Sequence, residues 1–246
     1  MSANKYIDFE NALRQAVCDT ALRLNKSGLR FAVFAKTECN DTFWYRTNNG
    51  GWKLNPSANP ANAIRDIFQN GWRYATECAT AMVIVYYKAL LEVYGDELFN
   101  KTFNSIYLMD WDVRDPLLSK VGYMEKVEES GSFLAGDRVY FANPDHDPAL
   151  PQWQGENTIK LQDGSYYGHG IGIASAEHII NSLNSRRGND NPRSAYLLNS
   201  VGRPDFKKLA DIMSTENEVT VWKVFPNAIP AVKIEGGRGG DTGALV

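Results

Sequence analysis

An α+β fold is predicted for this 246-residue chain by three observations. Apolar residues near the N-terminus recur every three or four positions, as one face of a helix requires. The most hydrophobic run, Ala81-Met82-Val83-Ile84-Val85-Tyr86-Tyr87, follows a cysteine, Cys78, where a second helix would begin. Three or more short β-rich runs come after that helix. With 43% hydrophobic and 22% charged residues the chain can bury a core of ordinary size, and its length permits one large domain or two small ones.

Phe9, Leu13, Ala16, Val17, Thr20, Ala21 and Leu24 predict an amphipathic helix over 8–27, ended near Ser27-Gly28. Residues 29–34 (LRFAVF) read as a strand. Phe43 to Thr47, the turn residues Asn48-Asn49-Gly50-Gly51, and Trp52 to Leu54 read as a hairpin. Pro60 to Asn70 predicts a short helix, broken by Gly71 before the helix that carries Cys78 towards Tyr94-Gly95, with one or two turns added over 96–104. Strands are expected at 105–111, 137–141, 157–161, 166–173 and 195–198. Between the last two, residues 175–185 form a helix capped by Ser175 with Glu177 in its first turn. Beyond Asp211 a polar stretch leads to an extra strand at 219–224 and a Gly-rich end, Gly236 to Gly240.

A net charge of −3 and a pI near 5.7 supply no broad basic field, so a nucleic-acid partner is not expected. Three cysteines, Cys18, Cys39 and Cys78, are too few for a disulfide scaffold and form no C-x-x-C pair, which fits synthesis in a reducing compartment, the cytoplasm. The N-terminus lacks an apolar signal core. The run after Cys78 is shorter than the roughly 20 residues of a membrane span, so no membrane association is expected.

Four residues could do chemistry. Cys78 at a helix start would meet unpaired N–H groups and the positive end of the helix dipole, which lower a thiol's pKa and can hold an oxyanion. Glu77 adjoins it, Glu156 lies in Trp153-Gln154-Gly155-Glu156-Asn157, and His169 stands between glycines. A helix-borne cysteine ahead of a sheet that supplies a histidine is the chain order of papain-like enzymes. Each residue also has a plain structural reading: Cys78 as a small buried hydrophobe, His169 as a turn residue, Glu156 as a solvated loop acid. His146 and His178 are assigned to the surface, and Asp145, His146 and Asp147 match no metal-ligand spacing, so neither metal nor cofactor is expected.

The segments Pro60 to Ile67, Asn70-Gly71 and Glu77 to Tyr87 together resemble the spore-coat protein-glutamine gamma-glutamyltransferases (transglutaminases) of spore-forming bacteria. Trp153 to Asn157, His169 to Ile173 and Ser194 to Leu198 extend the resemblance across about residues 10 to 210. It implies a papain-like, cell-wall-amidase type α+β fold, with residues 1–210 as the catalytic domain and 211–246 as a partly flexible C-terminal extension. It further implies a calcium-independent enzyme joining protein glutamine to lysine through a thioester on Cys78, with release of ammonia. Glu156 would be the partner carboxylate, Glu77 a second one, and His169 the family's histidine. Phe31, Trp111 and Trp153 would line the substrate passage, with Asn157 and Tyr167 beside them. The implied partners are proteins with accessible Gln and Lys, the implied place of work is the spore surface, and the chain is expected to act as a monomer. A glutamine deamidase using the same cysteine, and a non-catalytic coat protein, are the alternatives; a peptidase or cell-wall amidase rests on fold analogy alone.

Overall fold

The computed structural model describes residues 3–112, 115–127, 132–188 and 193–224. Helix α1 (Ala3–Lys26) begins earlier than its periodicity predicts and buries Phe9, Leu13, Val17, Thr20, Ala21 and Leu24. Strand β1 (Arg30–Phe31) is only two residues long, because the chain leaves it for a 3-10 turn over Phe34–Lys36. Phe31, Val33 and Phe34 consequently stay partly exposed. The predicted hairpin forms as β2 (Trp44–Arg46) and β3 (Trp52–Leu54), with Trp44 opposite Leu54. Alternation puts Trp44, Trp52 and Leu54 in the core and Tyr45 and Lys53 outside.

Helix α2 (Pro60–Gln69) starts where the sequence signals it: Pro60 is in its first turn and the Asn59 side chain accepts from Asn62 N–H. Strand β4 (Ala75–Thr76) pairs in parallel with β1 and delivers the chain into α3 (Cys78–Thr102). Helix α3 is buried almost all round as far as Leu91, and kinks at Gly95, whose φ is +74°. By length and composition it is apolar enough to cross a membrane, but most of it lies inside this fold, packed by α1 and α2. Each fully buried aliphatic side chain there contributes roughly 1.5–3 kcal/mol. Strand β5 (Tyr107–Leu108) joins β3 and is shorter than the seven-residue expectation, since Asp110 turns out of it with a φ of +47°.

Strand β6 (Glu125–Lys126) precedes a run of antiparallel strands, β7 (Arg138–Ala142), β8 (Gly155–Lys160), β9 (Tyr166–Gly168) and β10 (Gly172–Ala174). The stretch 166–173, predicted as one strand, is thus a hairpin. Gly170 and Gly172 have φ of +118° and +92° and reverse the chain immediately after His169. Helix α4 (Ala176–Asn184) is capped by Ser175, as predicted, and is followed by β11 (Tyr196–Leu197) and β12 (Ser200–Val201). The five-stranded sheet runs β10-β9-β8-β7-β11, and β12 pairs with β6.

Helix α5 (Phe206–Val224) replaces the strand expected at 219–224. Leu209 and Ala210 are buried, and Phe206 and Met213 pack on the core, which is the helical spacing that docks the segment. Tyr94 Oη donates to the Leu209 carbonyl at 2.7 Å, and the Arg14 guanidinium lies 4.8 Å from the Phe206 ring. Helix α5 crosses residue 210, and the Gly-rich end, Gly236 to Gly240, lies outside the described residues. One large core surrounds α3, and a smaller one, including Val139, Phe141, Ile179 and Leu183, lies between the sheet and α4.

Candidate active site

Cys78 occupies the first position of α3. Glu77, the cap residue, accepts from Ala79 N–H at 2.5 Å and from Thr80 N–H at 2.8 Å through its two carboxylate oxygens. Ala81 N–H bonds the Glu77 carbonyl. Of the four donors in the first turn, the Cys78 N–H alone has no partner among the described residues. It is available to an oxyanion.

Strand β8 supplies the other carboxyl. Glu156 is 2% exposed, and its Oε1 has no hydrogen-bond partner among the described residues. Burial, and then the charge of Glu77, raise the Glu156 pKa well above the usual carboxylate range. Glu77 is also raised, mainly by burial, although its hydrogen bonds to Thr80 and Ala79 oppose the rise. Burial, then Glu156, then Glu77 push the Cys78 thiol up to about 12, so the sulfur rests as a neutral thiol despite its place on the helix dipole. The space for Glu156 comes from Gly168 on β9: a Cβ there would stand 2.7 Å from Oε1 and 2.9 Å from Cγ.

A cavity of about 580 Å³ opens onto the thiol, walled by Phe31, Phe34, Trp111, Met124, Tyr140 and Leu198, among others. Phe31 and Trp111, which the resemblance puts on a substrate passage, border it. Asn157 does so too, and its Nδ2 donates to Cys78 Sγ at 3.4 Å. Trp153 does not wall this cavity. It packs with the smaller core under the Arg186 guanidinium, 3.6 Å from the ring, while its neighbours Gln152 and Gln154 reach the cavity. Sequence reasoning missed Arg138, Asp110, Tyr140 and Met124. Arg138 and Tyr140 are two apart on β7 and so share a face, a signal that was present in the strand pattern.

His169 forms no hydrogen bond with Cys78 or Glu156. Its Nδ1 faces Tyr167 Oη at 3.4 Å, its Nε2 faces the Arg30 carbonyl at 3.2 Å, and burial lowers its pKa to about 4, so the ring is neutral. It and Tyr167 line a second cavity of about 310 Å³. Phe31 borders both cavities, and its ring centroid is 6.0 Å from that of His169. The sheet therefore presents the histidine to the aromatic wall and the carboxyl to the thiol.

Fold and site define a class: an α+β enzyme with a thiol at a helix N-terminus and a buried carboxyl from the adjoining sheet. The family model described as protein-glutamine gamma-glutamyltransferase matches residues 2–213. A protein-glutamine gamma-glutamyltransferase of Bacillus cereus (strain G9842) is 41% identical over 222 residues, 89% of this chain and 78% of that protein. One from Bacillus mycoides (strain KBAB4) is 44% identical over 83% of this chain and 72% of its own length. The structure of a transglutaminase from Geobacillus stearothermophilus, without its C-terminal extension, superimposes with a TM-score of 0.77 at 45% identity, covering 85% of this chain and 97% of that one. The chain belongs to the protein-glutamine gamma-glutamyltransferase family. It is an enzyme with transglutaminase activity on protein substrates, which sets aside the non-catalytic alternative.

Proposed function

We propose that Cys78 carries the acyl group and that Glu156 moves the protons. In the first half-reaction Sγ attacks the glutamine carboxamide carbon while the thiol proton passes to Glu156, and the Cys78 N–H holds the oxyanion. The C–N bond then breaks, Glu156 returns the proton to the departing nitrogen, and ammonia leaves a thioester. In the second half a neutral lysine amine attacks the thioester carbon and gives a proton to Glu156. The C–S bond breaks, the sulfur recovers that proton, and an isopeptide bond remains. No step needs calcium.

The observation that carries this reading is the buried Glu156 carboxyl, whose Oε1 has no hydrogen-bond partner among the described residues and whose pKa is raised well above the usual range. Glu77 is committed to two backbone N–H groups and serves only in part. His169, neutral and bound to Arg30 and Tyr167, acts by holding Phe31. The aromatic walls favour a lysine stem over water at the thioester, so cross-linking exceeds deamidation. The test incubates a glutamine protein with a labelled amine in excess chelator. Wild type should incorporate amine, Cys78→Ala should not, and glutamate formation in place of incorporation would make the enzyme a deamidase. Action as a monomer, tested by sizing, and at the spore surface, tested by fractionating spores of the source cell, belong to the same proposal.

A further inference from the structure

Arg138 is an unusual residue to find beside a thiol that rests uncharged. It is 2% exposed, its guanidinium carbon lies over the Trp111 ring, 4.1 Å from the centroid, and its Nη1 donates to Asn157 Oδ1 at 2.9 Å. Its Nη2 reaches the Tyr123 carbonyl at 3.4 Å, and its Nε has no partner among the described residues. No carboxylate forms an ion pair with it among the described residues. A buried guanidinium without an ion-pair partner is costly to keep. Gly202, which pairs with Arg138 through the backbone, makes the space: a Cβ there would stand 2.6 Å from Nε.

The chemistry of the donor decides what this contact does. A guanidinium can only donate, so the Asn157 oxygen must face Arg138, and the amide nitrogen must therefore face the other way. The other way is Cys78 Sγ, at 3.4 Å. An asparagine without that constraint could flip and present its oxygen to the sulfur, repelling the charge that develops during attack.

We propose that Arg138 is a positioning residue of the transfer reaction: held over the Trp111 ring, it locks the Asn157 amide so that Nδ2 supports the Cys78 sulfur as negative charge grows on it. The proposal rests on Cys78 being the acylated nucleophile. Glu77, Asp110 and Tyr140 also face this cavity, and the charges of Glu156 and Glu77 oppose thiolate formation. Arg138 and Asn157 supply the opposing influence, the second directly and the first through it.

The test reads the thiol itself, so that it is separate from whether transfer occurs. Iodoacetamide alkylation of the Cys78 peptide, followed by mass spectrometry against pH in the full chain, reports the thiolate fraction, which changes tenfold per unit of thiol pKa. Arg138→Gln should slow alkylation at fixed pH by about tenfold, and Arg138→Lys, which keeps the charge and loses the fork, by a smaller factor. Both should lower kcat more than they raise KM for the glutamine donor. Neither should slow alkylation further in an Asn157→Ala background, since Arg138 acts through that amide. If Arg138→Gln does not fold, Arg138→Lys decides. An unchanged alkylation profile in a folded variant, or an equal loss with Asn157 already removed, overturns the proposal. Amine incorporation that survives Cys78→Ala would instead overturn the assignment of the nucleophile.

Discussion

Two carboxylic acids are buried almost equally in this fold and are treated in opposite ways. Asp137, fully buried, receives Arg14 Nη1 at 2.7 Å, Arg203 Nε at 2.7 Å and Nη2 at 2.6 Å, and Leu134 N–H at 2.9 Å. Those bonds tie α1 and the segment leading to α5 to the start of β7. Glu156 has neither a cation nor a donor on Oε1. The first acid stabilises the fold because its charge is answered from every side. The second costs stability, about 1–3 kcal/mol for an unsatisfied buried group, and keeps a carboxyl able to take and return a proton.

The largest expected effect separates these roles. Glu156→Gln should lower amine incorporation by about 10²–10⁴-fold, the range for loss of a positioned general base, with the melting temperature unchanged or higher. Asp137→Ala should do the reverse: a loss of about 3 kcal/mol, because two guanidinium groups lose their partner while Arg203 is a third exposed and can rehydrate. Its kcat per folded molecule should stay at the wild-type value. Urea unfolding together with active-site titration measures both quantities.

Gly168→Ala follows. The nearest atoms to the new Cβ belong to the Glu156 side chain and not to backbone, so the carboxyl can move aside at small cost in stability. A displacement of that size should lower kcat about 10²-fold while urea unfolding hardly changes. Loss of the fold with kcat intact would mean that the position of Glu156 does not matter.

A smaller effect concerns pH. A carboxyl whose folded pKa lies above its unfolded value of about 4.5 binds more protons in the native state, so its contribution to stability falls as pH rises through that window. The melting temperature of Glu156→Gln should therefore gain on wild type as pH rises above about 4.5. Glu77, raised in the same sense, keeps some of this slope in the variant. Glu77→Gln should retain part of the activity, move the acidic limb of kcat/KM to lower pH by removing a charge near Glu156, and lose up to about 1 kcal/mol of capping. An acidic limb that does not move would detach Glu77 from the proton relay.

Legibility in the sequence followed the range of the interactions. Helices α2, α3 and α4 and the β2-β3 hairpin were readable because Asn59, Glu77-Cys78, Ser175 and the Asn48 to Gly51 turn act within a few residues. The stretch 166–173 is a hairpin and not one strand, because Gly170 and Gly172 turn the chain after β9, and 219–224 continues the helix that Leu209 and Ala210 dock nearer its start. Cys78, Glu77 and Glu156 are singled out in the sequence by residue type and motif, and the fold brings their charges within reach of one another. Arg138 is not singled out there, because its importance arises only when β7 sets it against Trp111 and Asn157. Trp153, placed on the substrate path by resemblance, packs against Arg186 instead.

In the proposed mechanism the proton of the Cys78 thiol goes to Glu156 during acylation. Incubating the enzyme with a glutamine peptide in the absence of amine, quenching in acid and weighing the Cys78 peptide measures the thioester directly. Wild type should show the acyl adduct with ammonia released in equal amount, and Glu156→Gln should show almost none although its thiol can still be alkylated. An adduct forming at the wild-type rate in Glu156→Gln, or on a residue other than Cys78, would contradict the account.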